Sequence, residues 1–302
     1  MKDRIVVQRL LALIVLAWAF ALPVQAQYVG GWTKVDEVRT QYQTITIIDG
    51  PKNLRQMIFD GKFDGTDAVQ SEMDKAHPTD LTLSYAKHMM AALPLPAKRD
   101  RIMIIGLGGA CIERYLAKLL PDAVIETAEL DPEVVRVARK WFNYNDDDKK
   151  QIIHIGDGRK ILERSNDKYD LLILDAFSAT SIPYALSTKE FLELCKSHLT
   201  NGGIVAANVW YAQADYYDML KTYKEVFAEF HVMRCANSTN AIIVAFPEKR
   251  GLTGESWMEA CNAFEKKYPT NLGLAKLVDH ALEDATRIPT DAKVLLDRNV
   301  PK

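Results

Sequence analysis

The sequence has no excess of charge of either sign. Its 302 residues include 38 lysines and arginines against 40 aspartates and glutamates, which leaves a formal net charge of −2. No block of basic residues interrupts this balance. Because a nucleic-acid-binding protein needs a basic face to meet phosphates, the composition argues against a nucleic-acid partner.

Cysteine is scarce and widely spaced. The four cysteines are Cys111, Cys195, Cys235 and Cys261, and they form neither a metal-ligand spacing nor a Cys-X-X-Cys redox pair. We therefore expect buried, apolar thiols and no metal site. One disulfide remains open if the chain enters an oxidising compartment.

No apolar run reaches the length of an ordinary membrane span, which needs about 20 residues. The longest, residues 10–22, follows a start that carries Lys2, Arg4 and Arg9, and the small residue Ala26 comes soon after it. This order is typical of a secretory signal peptide. We predict that residues 1–26 are cleaved and that the mature chain is periplasmic or secreted. The alternative is an uncleaved anchor in the inner membrane.

The first part of the mature chain has short strand patterns. Residues 42–48 and 54–60 are strand-like, and the segment Asp-Gly-Pro-Lys-Asn between them is turn-forming. They predict a small N-terminal β-strand unit over residues 27–78, followed by a Rossmann-like domain over residues 79–302. Helices are predicted over residues 80–93 (with Asp80 near the cap), 132–142, 188–199, 215–230, 255–267 and 272–284.

From Arg101 onward, apolar segments alternate with these helices. The segments that read as strands are RIMIIG, AVIETAE, QIIHIG, YDLLILD and GGIVAANV. Because they are apolar throughout and separated by helices, they predict an α/β fold with a parallel, doubly wound sheet. HVMRC and AIIVAF follow without a helix between them and predict an antiparallel hairpin at the sheet edge.

A glycine turn joins the first of these strands to a helix. Gly106, Gly108 and Gly109 allow the backbone to approach a ligand closely, because a Cβ would obstruct the turn or the ligand. The three-glycine dinucleotide pattern would place a further glycine at Cys111, so that signature is broken. The turn by itself is compatible with a cofactor site and with a tight structural turn.

Acidic residues follow the next two strands. Glu129 ends the second strand, where a carboxylate can accept hydrogen bonds from both ribose hydroxyls. Asp131, just before Pro132, is expected to cap the next helix. Asp157, beside Gly158, would accept from the amine of an adenine, and its alternative is a plain helix cap. The carboxyl ends of these strands form one crevice, so the residues together predict an adenosine site.

Asp175 comes directly at the end of the fourth strand, so its side chain is expected to face the same crevice. A carboxylate there can attract a sulfonium or take a proton from an incoming nucleophile, and the alternative is a cap of the next loop. The loop that follows contains Ser181 and Pro183, and Phe177 and Tyr184 are candidates for apolar walls of the site.

These segments, taken in order from about Gln41 to Asp291, resemble the spermidine synthase (polyamine aminopropyltransferase) family, and in particular its bacterial exported spermidine synthase-like branch. The resemblance is carried by YQTITI, LRQMIFDG, IGLGG, AELDPEVVRVARKWF, GDGR, YDLLILDAFS and IPTD. It implies a methyltransferase-type Rossmann domain behind an N-terminal β unit, usually as a homodimer. It also implies decarboxylated S-adenosylmethionine as co-substrate, a polyamine such as putrescine as acceptor, and no metal.

The resemblance also implies roles for individual residues. Gln43 would contact the ribose or the sulfur end of the donor, and Glu129 would hold the ribose hydroxyls. Asp157 with Gly158 would bind the adenine, and Pro183 would lie in the loop beside it. Asp175 would be the proton acceptor of the transfer.

Three positions depart from the family pattern. The family has an aspartate where this chain has Gly109, and a second aspartate in the fourth-strand motif where it has Ser178. The family's Tyr-His-Glu run reads here as residues 85–88, in which Lys87 would repel a polyamine. Two alternatives therefore stay open. One is a methyltransferase that uses intact S-adenosylmethionine, and the other is a non-catalytic exported protein that binds a nucleoside or a polyamine.

Overall fold

The computed structural model describes residues 31–61, 69–146, 149–177, 182–283 and 287–299. The predicted signal segment (residues 1–26), Ser178 and Ser181 lie outside the described residues. Within these ranges, no helix has the length and hydropathy to cross a bilayer.

The strands are β1 Thr33–Arg39, β2 Thr44–Asp49, β3 Leu54–Phe59, β4 Val69–Asp74, β5 Arg101–Ile105, β6 Val124–Glu129, β7 Gln151–Ile155, β8 Tyr169–Leu174, β9 Leu199–Trp210, β10 Glu229–Arg234, β11 Asn240–Phe246 and β12 Leu282–Glu283. The helices are α1 Ser84–Met89, α2 Cys111–Leu119, α3 Pro132–Trp141, α4 Gly158–Arg164, α5 Lys189–Ser197, α6 Tyr216–Val226, α7 Gly254–Lys267 and α8 Leu274–Ala281.

The N-terminal unit is an antiparallel sheet in the order β1-β2-β3-β4. Ile45, Ile47, Met57 and Met73 are fully or almost fully buried on one face of it. They pack against Val134, Val137 and Phe142 of helix α3 and the segment after it. This sheet confirms the predicted small N-terminal β unit, and its apolar face fixes it onto the rest of the chain.

The larger sheet has the order β12-β10-β11-β9-β8-β5-β6-β7 within the described residues. Strands β5 to β9 run parallel, and β9, β11, β10 and β12 pair antiparallel. Apolar clusters cover both faces, which explains the uninterrupted hydrophobic pattern of strands such as β8. The predicted doubly wound α/β class and the antiparallel β10–β11 hairpin are confirmed, but the two-residue strand β12 lies outside β10, so the hairpin does not form the edge itself.

Helix boundaries differ from the sequence prediction at several places. Helix α8 ends at Ala281, and Leu282–Glu283 pair with β10 as strand β12 inside the helix predicted over residues 272–284. Helix α1 begins at Ser84, with Leu83 extended at its cap, so Asp80 does not cap it. The Thr82 hydroxyl donates to the Glu72 carbonyl at 2.8 Å and holds the chain before the helix alongside β4. Helix α6 ends at Val226, because Phe227 is extended and the chain then enters β10.

All four cysteines are free thiols. Cys195, Cys235 and Cys261 are buried, and Cys111 is partly buried. They lie within or against the apolar clusters on the two faces of the larger sheet. They therefore serve as small apolar side chains, as the sequence predicts.

Candidate active site

A cavity of about 420 Å³ opens at the carboxyl ends of β5, β6, β8 and β9. Sheet β1–β4 covers one side of it through Phe59 and the segment Val69–Ser71. Every candidate residue predicted from the sequence lines this single cavity: Gln43, Gly106, Gly108, Glu129, Asp157, Gly158, Asp175 and Pro183. The structure thus brings together side chains that are more than a hundred residues apart in the sequence.

The glycine turn is required by its surroundings as well as by any ligand. Gly106 has φ +102°, and a Cβ on it would lie 2.4 Å from the Asp175 carbonyl oxygen. Gly108 has φ +53°, and its Cβ would lie 2.6 Å from Ser71 Oγ. Both conformations favour glycine, and both contacts forbid a side chain. The turn therefore holds β5 close to β8 and to the N-terminal sheet.

Gly109 is the position at which the resemblance described above implies an aspartate, and the structure leaves no space for a side chain there. A Cβ there would lie 2.7 Å from Phe142 Cδ1 and 2.9 Å from Ser71 Cβ. The Gly109 N–H donates to Ser71 Oγ at 2.7 Å. The N-terminal sheet and the phenyl ring fill the volume that an acidic side chain would take.

Glu129 is held by the backbone at the end of β6. Its Oε2 accepts from the Leu107 N–H at 3.0 Å, and its Oε1 accepts from the Asp131 N–H at 2.8 Å. Burial raises the pKa of the carboxyl to about 6. Each oxygen keeps a second lone pair, so the residue can accept from two hydroxyls of a ligand in the cavity.

The neighbouring Asp131 caps helix α3, as predicted, through a 3.0 Å hydrogen bond from the Glu133 N–H. Its other oxygen, Oδ2, is buried and has no hydrogen-bond partner in the described part of the chain. Asp131 also lines the cavity. A buried acceptor without a partner at such a place suits a ligand that brings a donor.

Asp157 both caps a helix and lines the cavity. Its Oδ1 accepts from the N–H groups of Arg159 and Lys160 at 2.9 and 3.2 Å, at the start of helix α4. Gly158 is needed there because a Cβ would lie 2.6 Å from Ile105 Cγ2. The helix can therefore pack directly on β5, which brings Asp157 to the cavity wall.

Asp175 lies at the cavity, just after β8. Its Oδ1 accepts from Asn208 Nδ2 at 2.8 Å, while the nearby Tyr85 hydroxyl donates to the Gln70 carbonyl at 3.4 Å. Removal from bulk water raises the pKa of Asp175 to about 7, against the opposing effects of Asn208 and of the Tyr85 hydroxyl. A carboxyl group with that pKa can exchange a proton near neutral pH, which is what a general base requires.

Several lining residues were not found from the sequence. Asn208, Trp210 and Asn240 come from β9 and β11, and Ser71 comes from β4. Asn208 interrupts the apolar run of β9, and a polar residue in a buried strand was the signal that could have found it. Ser71 gave no comparable signal.

Some residues singled out in the sequence lie elsewhere. Lys87, expected to repel a polyamine, does not line the cavity. Tyr184 is also absent from the lining, which includes Phe177 as predicted and Pro183, Ala185 and Leu186 from the same loop. The described residues contain no group of three or more side chains able to hold a metal ion.

The fold and the cavity define an α/β protein of the methyltransferase type with acidic side chains at the carboxyl ends of its parallel strands. Residues 83–241 match the family model described as the spermine/spermidine synthase domain. The chain belongs to the spermine/spermidine synthase family. The polyamine aminopropyltransferase of Vibrio vulnificus is 30% identical over 221 residues, which cover 72% of this chain and 73% of that enzyme. The family predicted from the sequence is confirmed.

Solved structures agree in fold. A probable spermidine synthase from Corynebacterium glutamicum superposes with a TM-score of 0.68 at 19% identity, over 87% of this chain and 96% of that one. Human methyltransferase-like protein 13, solved in complex with SAH, superposes with a TM-score of 0.56 at 25% identity, over 61% of this chain and 92% of that one. The likeness at 19% identity shows the fold alone.

Proposed function

We propose that this chain transfers an aminopropyl group from decarboxylated S-adenosylmethionine to a polyamine such as putrescine. The observation that carries the proposal is the position of Asp175, which opens onto the same cavity as Glu129 and Asp157. Membership of the spermine/spermidine synthase family supports the same reaction. The cavity has one end suited to a nucleoside and a proton acceptor at its other side.

The nucleoside part of the donor fits the acidic end of the cavity. Glu129 accepts from the ribose hydroxyls, and Asp157 with Gly158 meets the adenine edge. Leu130, an apolar side chain that is 47% exposed beside them, offers a face to the purine. Gln43 contacts the ribose or the sulfur, and Pro183 closes the loop over the base.

Asp175 then deprotonates the acceptor. A protonated amine has no lone pair for attack, so the carboxylate takes one proton from the ammonium. The free nitrogen attacks the CH₂ group next to the sulfonium, the new C–N bond forms, and the C–S electron pair passes to sulfur to give methylthioadenosine. The sulfonium is already a good leaving group, so alignment of the two substrates is the main contribution of the protein.

Incubation of the purified chain with decarboxylated S-adenosylmethionine and putrescine tests the reaction. We expect methylthioadenosine and spermidine in equal amounts, measured by mass spectrometry. Absence of both products with putrescine and with longer polyamines would contradict the proposal. If donor binding persists in that case, the non-catalytic binding alternative is favoured.

A second candidate, methyl transfer from intact S-adenosylmethionine, is favoured by one observation. The resemblance implies an aspartate at the position of Gly109, where it would pair with the ammonium of the aminopropyl tail. In this chain Phe142 and Ser71 fill that space, so the partner of the ammonium is missing. Calorimetry with the intact and the decarboxylated donor separates the two reactions. Tighter binding of the intact donor, together with S-adenosylhomocysteine as product, would identify methyl transfer.

We further propose that the protein is exported, as in the bacterial exported branch of the family, and that residues 1–26 are removed as a signal peptide. The positive start, the apolar run and Ala26 support this location. Mass spectrometry of the protein from a periplasmic extract should give an N-terminus at residue 27. An uncleaved N-terminus in the membrane fraction would identify the anchored alternative.

We also propose a homodimer without a nucleic-acid partner. The resemblance to the family supports the dimer, and the balance of acidic and basic residues supports the absence of nucleic acid. Light scattering after gel filtration should give twice the mass of the mature chain. A gel-shift assay at low salt should show no complex with DNA or RNA.

A further inference from the structure

A chain of hydrogen bonds runs from the hairpin turn before β11 to Asp175. Ser238 Oγ donates to Asn240 Oδ1 at 2.6 Å, and Asn240 Nδ2 donates to Asn208 Oδ1 at 2.9 Å. Asn208 Nδ2 then donates to Asp175 Oδ1 at 2.8 Å. The three polar side chains thus form one line that ends at the proposed proton acceptor.

The sheet register places these side chains in line. Leu174 pairs with Ala207 in the parallel β8–β9 ladder, so Asp175 comes out beside Asn208. In the antiparallel β9–β11 ladder Asn208 pairs with Ile242, which puts Asn240 two residues away on the same face. Asn208 is 4% exposed, so its amide is held mainly by these protein partners.

The first link fixes the direction of every later one. The Asn240 backbone N–H donates to Ser238 Oγ at 3.1 Å, so the Ser238 hydroxyl proton is left for Asn240 Oδ1. Asn240 must then present its NH₂ group to Asn208, and Asn208 must present its NH₂ group to Asp175. An Asn208 amide turned the other way would place its oxygen against Asp175 Oδ1 and its NH₂ group against the NH₂ group of Asn240.

We propose that Asn208, Asn240 and Ser238 are positioning residues that keep an N–H donor directed at Asp175. The donor stabilises the ionised carboxylate and occupies Oδ1, which leaves Oδ2 for the acceptor amine. The proposal rests on the proposed function in assigning proton removal to Asp175. The hydrogen-bond chain and its effect on that carboxyl group can be measured without turnover.

Other titratable groups also face Asp175. The Tyr85 hydroxyl, from α1, lies nearby and favours the ionised carboxyl group, although it donates to the Gln70 carbonyl. Glu113 of α2 is buried nearby, and burial raises its pKa to about 8, so at neutral pH it is mainly uncharged. Cys111 is adjacent to the same groups, and burial raises the pKa of its thiol. With Glu113 uncharged at neutral pH, Asn208 is the side chain whose hydrogen bond to Asp175 favours its ionisation.

The pH profile of kcat/KM tests the proposal through four variants of the full chain. N208L removes the donor, and N240L removes the group that orients it, while neither adds a charge. We expect the acidic limb of the profile to shift to higher pH by about one unit in N208L. The pKa of Asp175 rises there because the carboxylate loses a hydrogen bond. N240L and S238A should move it in the same direction by a smaller amount, and S238T, which keeps the hydroxyl, should restore the wild-type profile.

The matched control is N262L, which makes the same change at an exposed asparagine of helix α7. A purely structural role would lower kcat at all pH values and leave the limb in place. An unmoved limb in both N208L and N240L, with methylthioadenosine binding retained, would overturn the proposal. So would equal profiles for S238A and S238T.

A second measurement tests the hydrogen-bond chain independently of the proposed enzymatic activity. The carboxyl carbon of Asp175, assigned by its loss in D175N, can be titrated by ¹³C NMR in each variant. A shift of about one pH unit in N208L or N240L supports the hydrogen-bond chain even if wild type turns over no polyamine. An unchanged titration in both variants overturns it, whatever the activity of wild type. If N208L does not fold, N240L and the S238A–S238T pair decide the question.

Discussion

Asp175 combines a position removed from bulk water with a hydrogen-bond donor. Removal from water raises the pKa of its carboxyl group, and the hydrogen bond from Asn208, with the nearby Tyr85 hydroxyl, opposes the rise. The resulting pKa, about 7, lets the carboxyl group take up and release a proton near neutral pH. Two predictions follow from this residue.

Replacement of Asp175 by asparagine keeps the shape of the side chain and removes the proton acceptor. We expect D175N to lower kcat by about 10²- to 10⁴-fold, the usual contribution of a general base, with donor affinity little changed. Steady-state kinetics and calorimetry with methylthioadenosine measure the two effects. D122N, at a fully exposed aspartate, is the control. Activity of D175N within a few fold of wild type would contradict the assignment.

The raised pKa of Asp175 also predicts how stability depends on pH. In the unfolded chain the carboxyl group ionises near pH 4, whereas the folded chain keeps it protonated up to about pH 7. The folded state therefore binds more protons between these values, and this contribution to stability is lost as pH rises from 4 to 7.

D175N carries no such group, so the unfolding free energy of D175N relative to that of wild type should increase by about 4 kcal/mol from pH 4 to pH 8, since the pKa is raised by roughly three units and each unit is worth about 1.4 kcal/mol. Urea unfolding at the two pH values measures this difference. A constant difference would show that the pKa is not raised. In wild type, kcat/KM should rise with pH and level off above about 7.

At the level of single elements, the glycine turn between β5 and α2 is confined by helix α3 and strand β4. Helix α3 leads to Phe142, and β4 carries Ser71, and both contact the position where Gly109 would bear a side chain. The close packing explains why this turn holds its shape with no aspartate in it. It also allows a direct test of the contact.

G109A should destabilise the protein by about 1–3 kcal/mol, because its methyl group overlaps the Phe142 ring. F142L alone should also destabilise, by loss of buried area. The double variant should lose less than the sum of the two, since leucine leaves room for the methyl group. Urea unfolding of the four proteins gives the coupling. Additive losses would show that the two residues do not touch.

Elements that depend on local pattern were predicted from the sequence. The strands from β5 to β9, the Asp131 cap and the position of Glu129 at a strand end follow from apolar runs and turn residues near each other in the chain. The filling of the space at Gly109 by Ser71 did not follow, because it depends on how two sheets dock. The direction of Lys87 away from the cavity depends likewise on which face of α1 packs inward.

At the scale of the whole molecule, the C-terminal segment is tied to the site. Asp297 pairs with Arg159, a cavity residue next to Asp157, with Oδ1 2.7 Å from Nη1, and it accepts from the Thr188 hydroxyl at the same distance. Leu295 is buried against helix α6, where its N–H donates to Thr222 Oγ1. The last described residues therefore hold the start of α4.

D297A should raise the donor KM by several fold and lower the melting temperature by a few degrees, because Arg159 loses its partner beside the adenine site. D291A, in the exposed part of the same segment, should change neither. Steady-state kinetics and thermal unfolding measure the effects. An unchanged donor KM in D297A would show that the C-terminal segment does not affect donor binding.

The packing at Gly109 also constrains which residues this position can accept. A side chain there would meet the Phe142 ring and the Cβ of Ser71, which come from two other parts of the chain. An acidic side chain would therefore require smaller residues at both neighbours, and each of those changes made alone would leave a packing defect. No single substitution can place a carboxylate in this turn without displacing one of them.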